Sequence, residues 1–116
     1  MRRSAVLDRT FAALADPHRR RVVDLLRERP RRAGELAELA GLAAPAMSRH
    51  LRVLRESGLV DESHPAFDAR VRIYALRPRF LAELKAWLEE TETLWSEQLA
   101  AFAGHVERRG RGARPP

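Results

Sequence analysis

Residues 34–60 read GELAELAGLAAPAMSRHLRVLRESGLV, and the punctuation of this stretch decides the fold. Leu36, Leu39 and Ala40 set a short helical pattern that Gly41 closes, because glycine tolerates the left-handed backbone of a helix C-cap. After Leu42-Ala43-Ala44, Pro45 opens another helix carrying Met47, Leu51 and Leu54 at three- to four-residue spacing, and Gly58 ends it. Ala37 stands where two helices joined by so tight a turn cross closely, and only a small side chain fits there. Leu36, Leu42, Met47 and Leu51 supply the shared core beneath. Two short helices in this relation form a helix-turn-helix.

Upstream, Val6, Phe11 and Leu14 mark a first helix that stops at Ala15-Asp16-Pro17. Asp16 followed by Pro17 is a strong helix start, a carboxylate N-cap and then a residue whose fixed φ suits the first turn. Val22, Val23, Leu25 and Leu26 continue that second helix until Pro30 forbids it. Downstream, Leu59 to Ser63 reads as a strand, His64 to Arg70 as a turn, and Val71 to Leu76 as a return strand. Pro78 begins a long last helix with Phe80, Leu81, Leu84, Trp87, Leu88, Leu94, Trp95, Leu99 and Phe102, and Gly104 is expected to stop it. The predicted order is H-H-H-H-E-E-H, a mostly α chain with a minor α+β part: a winged helix-turn-helix. One domain is expected over residues 1–104, followed by a flexible basic tail over 105–116.

Composition narrows the function classes. With 45% apolar residues the 116-residue chain can bury a core, and no apolar run approaches the roughly 20 residues of a membrane span. Met1 to Thr10 lacks the apolar stretch of a secretory signal, so the cytoplasm is the expected location. There is no cysteine, which excludes disulfides and thiolate metal sites. Residues 1–77 hold 16 basic and 10 acidic side chains, a net of +6, whereas residues 78–116 hold 6 of each. A basic front followed by an acid-rich helix points to an anionic partner for the front.

Three segments, matching in order and spacing, carry a resemblance to a known family. They are Phe11-Ala12-Ala13-Leu14-Ala15-Asp16-Pro17-His18-Arg19-Arg20-Arg21, Gly34-Glu35-Leu36-Ala37, and the run from Ala44 to Val60. Over residues 5–103 the chain resembles the ArsR-type winged-helix repressors, specifically their cysteine-free members. The resemblance implies a homodimer formed through the first and last helices, with two recognition helices presented to successive major grooves of double-stranded DNA. Binding to a pseudo-palindromic operator would occlude a promoter. The chain departs from the family at Ala43 and Ala44, where a polar N-cap and a glutamine-like residue are usual, and at Asp68-Ala69-Arg70, where a glycine and arginine are usual in the wing.

The expected DNA-binding residues are Ala44, Ser48, Arg49, His50, Arg52, Arg70 and Arg72. Arginine favours guanine edges, serine contacts base or phosphate, and an alanine packs only on thymine methyls. His50 matches a recognition-helix histidine of the family, with phosphate contact and packing inside the motif as alternatives. Arg72 either reaches DNA or covers the sheet, while Tyr74 and Leu76 share a strand face and read as core. Arg19, Arg20 and Arg21 oppose the dipole at their helix start, which a nearby phosphate would relieve; a structural role is expected instead, with Arg20 or Arg21 pairing with Asp24 or Glu28.

The last helix is apolar on too many sides for one core. Leu84, Trp87, Leu88, Trp95 and Leu99 are therefore expected at a dimer interface, joined by Val6 and Phe11 of the first helix. His18, His50, His64 and His105 show no helical metal-site spacing, and the family's metal-ligand pattern is missing, so no metal and no cofactor are expected. No phosphate loop, nucleophile elbow or acid–base pair points to an enzyme. The other function class is a winged-helix protein-interaction module without DNA binding. Salt dependence separates the two, because only phosphate neutralisation makes affinity fall steeply with salt. No effector is assigned.

Overall fold

The computed structural model describes residues 2–113, with side chains from 5 to 110. Its elements are α1 (Arg2–Leu14), α2 (Pro17–Glu28), β1 (Arg31–Arg32), α3 (Ala33–Ala40), α4 (Ala44–Glu56), β2 (Val60–Ser63), β3 (Ile73–Leu76) and α5 (Pro78–Ala113). The backbone groups into two compact units, Met1–Glu83 and Leu84–Pro116.

Local chemistry sets the boundaries. Asp16 caps α2 as expected: its Oδ1 accepts from the amides of His18 (2.8 Å) and Arg19 (3.2 Å). Gly41, at φ 68°, ends α3, and the following Leu42 amide donates to the Ala37 carbonyl at 2.9 Å. Gly58 does the same for α4 at φ 80°. The core of the first unit collects one face of each element: Val22, Leu25 and Leu26 of α2, Leu36 and Ala37 of α3, Met47, Leu51 and Leu54 of α4, with Leu59, Val60, Tyr74 and Phe80. Leu42 and Leu76 pack against it half-buried.

Three expectations need correction. The order contains an extra strand, β1, which makes the sheet three-stranded in the order β1-β3-β2, all antiparallel. Two residues after a proline carry no periodicity, so β1 exists only because β3 offers a ladder edge, with Arg31 opposite Tyr74 and Arg32 opposite Ile73. Gly104 does not stop the last helix. α5 runs through it to Ala113, so residues 105–113 are helical; residues 114–116 lie outside the described residues. A glycine inside a helix costs only about 1 kcal/mol relative to alanine, and Ala100, Ala101 and Ala103 beside it are the best helix formers. Finally, neither Arg20 nor Arg21 pairs with Asp24 or Glu28 among the described residues; those carboxylates meet Arg27 and Arg31. The guanidiniums of Arg19 and Arg20 cap the end of α1, Arg19 donating to the carbonyls of Ala13 (2.6 Å) and Ala12 (3.2 Å) and Arg20 to that of Leu14 (2.7 Å). Cations at a helix C-terminus satisfy its orphan carbonyls and its dipole, which answers the repulsion at the start of α2.

Candidate nucleic-acid interface

α4 is held by its apolar face and so presents the other one. Met47, Leu51 and Leu54 are at most 1% exposed, while Ala44, Arg49 and Arg52 lie on the surface. Neither Arg49 nor Arg52 has a hydrogen bond or ion pair among the described residues. A guanidinium carries five N–H donors, and two such groups left to water beside each other on one helix are ready for an anionic or base-edge acceptor. Ala43 precedes the helix with extended backbone and makes no side-chain cap, as a methyl side chain requires.

The other expected residues are distributed differently. His50 is half-buried and turns toward the start of α2, its ring 5.6 Å from that of His18. Desolvation raises the Asp16 carboxyl, but the amides of Arg19 and His18 and the nearby His50 and Arg19 outweigh it, leaving Asp16 below its ordinary value. His50 thus has neighbours within the motif while staying partly accessible. Ser48 and Arg72 face each other: Arg72 Nη2 donates to Ser48 Oγ at 3.3 Å, and Nη1 to the Tyr74 hydroxyl at 3.4 Å. Arg72 therefore ties the hairpin to α4. Arg70 stands at the wing with its side chain 93% exposed, touching only Asp68 at 3.3 Å among the described residues.

The wing itself needs no glycine. Asp68 Oδ1 accepts from the Arg70 amide at 2.9 Å, and no non-glycine residue has positive φ among the described residues. Ala69 escapes the strain of a left-handed turn because this side-chain turn keeps ordinary backbone angles. Phe67 lies near the tip, 80% exposed.

Sequence reading missed the residue that organises this surface. Glu62 on β2 accepts from the Tyr74 hydroxyl at 2.5 Å and from Arg55 Nη1 at 2.9 Å through Oε2, and its Oε1 lies 3.3 Å from His64 Nε2. Strand alternation was the available signal, since Glu62 shares a face with buried Val60 and sits opposite Tyr74 in register. The Tyr74 hydroxyl first, then Arg55, His64 and Arg72, hold the Glu62 carboxyl below its ordinary range against the opposing effect of burial. Burial first, and then the bond to Glu62, push the Tyr74 phenol up. Glu35 is likewise lowered, by Arg29 foremost and by Arg31.

These carboxyls contribute stability that is lost in acid. A folded pKa below the unfolded one means that the unfolded chain takes up protons first. The stabilisation is complete above the ordinary values, 3.8 for Asp16 and 4.5 for Glu35 and Glu62, and is lost as pH falls through the lower folded values. The melting temperature is expected to be level just above the carboxylate range and to fall below about pH 4. Glu62→Gln is expected to make that acid limb shallower; an unaltered limb in thermal melts would remove Glu62 from the account.

Of the residues expected at a dimer interface, Val6 is half-buried and Phe11 is 44% exposed in the first unit. In the second unit Leu84 and Trp87 are half-buried, while Leu88, Trp95 and Leu99 are exposed at 51%, 59% and 46%. Leu94 and Phe102 of the same apolar pattern are exposed as well, and so is Val106 beyond it. Among the described residues no group of three or more His, Asp or Glu side chains is placed to hold a metal ion, and no helix is long and apolar enough to cross a membrane.

Comparison with known proteins agrees with this geometry. Residues 16–62 match the profile described as "Bacterial regulatory protein, arsR family". The chain is 38% identical over 103 residues to the HTH-type transcriptional regulator Rv2034 of Mycobacterium tuberculosis, covering 89% of this chain and 91% of that protein. It is 32% identical over 56 residues to the transcriptional repressor SdpR of Bacillus subtilis, covering 48% of this chain and 62% of the relative. Among solved structures, the ArsR-like transcriptional regulator from Rhodococcus sp. RHA1 superposes with a TM-score of 0.76 at 28% identity, covering 90% of this chain and 93% of that one. A second ArsR family regulator, RHA00566, superposes with a TM-score of 0.70 at 34% identity, covering 78% and 91%.

Proposed function

The chain belongs to the arsR family of bacterial regulatory proteins, and from that premise we propose that it is a homodimeric repressor whose paired α4 helices read a pseudo-palindromic operator. It is a DNA-binding transcriptional regulator and not an enzyme. The proposal adds the oligomeric state, the sign of regulation, the cytoplasm as the place of action and the contacting residues. The observation that carries it is the pair Arg49 and Arg52, free of partners among the described residues, on the outer face of a helix whose inner face is locked in the core.

Arg49 reads base edges, Arg52 and the exposed Arg70 meet phosphates, and Ala44 and Ser48 line the approach. His50 and Arg72 support the reading helix from behind and from the wing, with Arg72 able to reach a phosphate only by leaving Ser48. Dimerisation is supported by the second unit of α5. Leu88, Trp95 and Phe102 recur every seven residues, and Leu99 and Val106 fall between and after them, all exposed. A seven-residue apolar repeat is the seam of a left-handed helix pair, and a band this wide left in water favours association with a second copy.

The test begins with selection of bound duplexes from a random pool. Affinity for the selected operator is then measured across a salt series for the wild type and for Arg49→Ala. The logarithm of affinity is expected to fall linearly with the logarithm of salt, by about 0.9 per neutralised phosphate. Arg49→Ala is expected to reduce discrimination between operator and random duplex by about 1–3 kcal/mol, with the salt slope kept. An equal loss on every sequence would make Arg49 a phosphate contact and sink its assignment as the reader of bases.

A further inference from the structure

A polar cavity of about 230 Å³ opens between α4 and the hairpin, lined by Ser48, Arg52, Arg55, Glu62, Arg72 and Tyr74. Ser48, Arg52 and Arg55 follow one another at positions i, i+4 and i+7 along one face of α4. Three guanidiniums thus surround a single carboxylate, a local net charge of +2, with one carboxylate oxygen already shared between Tyr74 and Arg55.

We propose that Glu62 is an internal counter-anion that withholds Arg55 from DNA phosphate and so raises the ratio of operator binding to indiscriminate binding. The inference rests on the DNA-binding reading above and adds to it a residue that touches no DNA. To a guanidinium, a carboxylate and a phosphodiester present the same thing, an oxyanion that accepts charge-assisted hydrogen bonds. Glu62 occupies that position within the fold: its side chain is 17% exposed, pinned by the buried Tyr74 hydroxyl, and 2.9 Å from Arg55 Nη1. Ser48 and Arg52 belong both to this cavity and to the proposed reading surface, so a phosphate strand laid along α4 passes its mouth.

Arg55, half-exposed at 46%, has the reach to join such a strand but must break one charge-assisted bond to make another. Its net gain is therefore small. Arg49, with no partner among the described residues, gives up nothing and keeps its full contribution at base edges. On operator the base contacts fix the register, and with it which phosphates come near Arg55. On random sequence the protein settles wherever a free cation finds a phosphate, so withholding Arg55 weakens random binding more than operator binding. A hydrogen-bond acceptor alone would satisfy Tyr74, and glutamine supplies one. The charge of Glu62 is what the proposal uses.

Wild type, Glu62→Gln, Arg55→Ala and the double variant are compared on random and operator duplexes across a salt series, with circular dichroism and melting temperature as checks of fold. Glu62→Gln is expected to steepen the salt slope on random duplex by about 0.9, one added phosphate, and to bind it roughly three- to tenfold more tightly at low salt, so that the operator-to-random ratio falls. The added slope is expected to vanish in the double variant, while Arg55→Ala alone leaves the wild-type slope nearly unchanged. Tyr74→Phe, which removes the hydroxyl and keeps the charge, is expected to lower the melting temperature without steepening the slope. An unchanged slope in Glu62→Gln, or an added slope that survives Arg55→Ala, overturns the proposal. So does a loss of about 0.9 on Arg55→Ala alone, which needs no change at Glu62. Wild-type protein that binds no duplex at any salt would defeat the DNA reading as well, and is thereby distinguished from these outcomes.

Discussion

Trp95→Glu combined with Leu99→Glu on α5 is expected to leave the protein folded but monomeric, and to weaken operator binding by roughly 10²–10⁴-fold. Both side chains are exposed, at 59% and 46%, so replacing them creates no cavity in the core. Placed in a dimer seam, two glutamates per protomer bring like charges together in an apolar setting, which strongly opposes association. The large effect on DNA comes from geometry. A dimer that has docked one α4 presents its twin to the second half-site as an intramolecular event, and a monomer must find each half-site separately. Sedimentation equilibrium and operator titration check the two halves of the expectation. A variant that remains dimeric, or a monomer with undiminished affinity, would show that this face of α5 is not the seam.

Arg31→Ala is expected to destabilise the fold by about 2–4 kcal/mol, through the lost charge-assisted bonds and the space left behind. Arg31 is 8% exposed, the one charged side chain buried to this degree among the described residues. Its Nε donates to the Leu25 carbonyl at 3.0 Å in the last turn of α2, Nη1 to Glu35 at 2.9 Å in the first turn of α3, and Nη2 to Glu28 at 2.6 Å. One guanidinium therefore closes α2, anchors the start of α3 and stands in β1 opposite Tyr74. Glu28 is largely exposed, so most of the effect lies in the other two contacts. Arg31→Met, which fills the space without the charge, is expected to cost less; the cost that remains measures the polar contribution and the difference from Arg31→Ala the packing. At fixed protein concentration the melting temperature of Arg31→Ala is expected to fall by roughly 10–20 °C. A fall of only a few degrees would mean that Glu28, Glu35 and water replace the lost bonds at little cost.

The parts of this protein legible in its sequence are those decided within a few residues. Asp16-Pro17 starts α2, Gly41 and Gly58 end α3 and α4 with positive φ, and the apolar spacing of Met47, Leu51 and Leu54 turns α4 so that Arg49 and Arg52 face outward. Each follows from backbone sterics or helical period, which act locally. The roles of the arginines were not legible in this way. Arg19 and Arg20 cap α1, Arg31 is buried in a strand with no sequence pattern of its own, Arg72 is held by Ser48 twenty-four residues away, and Arg55 is held by Glu62 on the hairpin. A long cationic side chain takes whichever oxygen the fold brings within about 3 Å, and that choice exists only once helices and sheet have packed. Local rules thus determined that a basic helix would be displayed; tertiary packing decided which of its charges remain free to act.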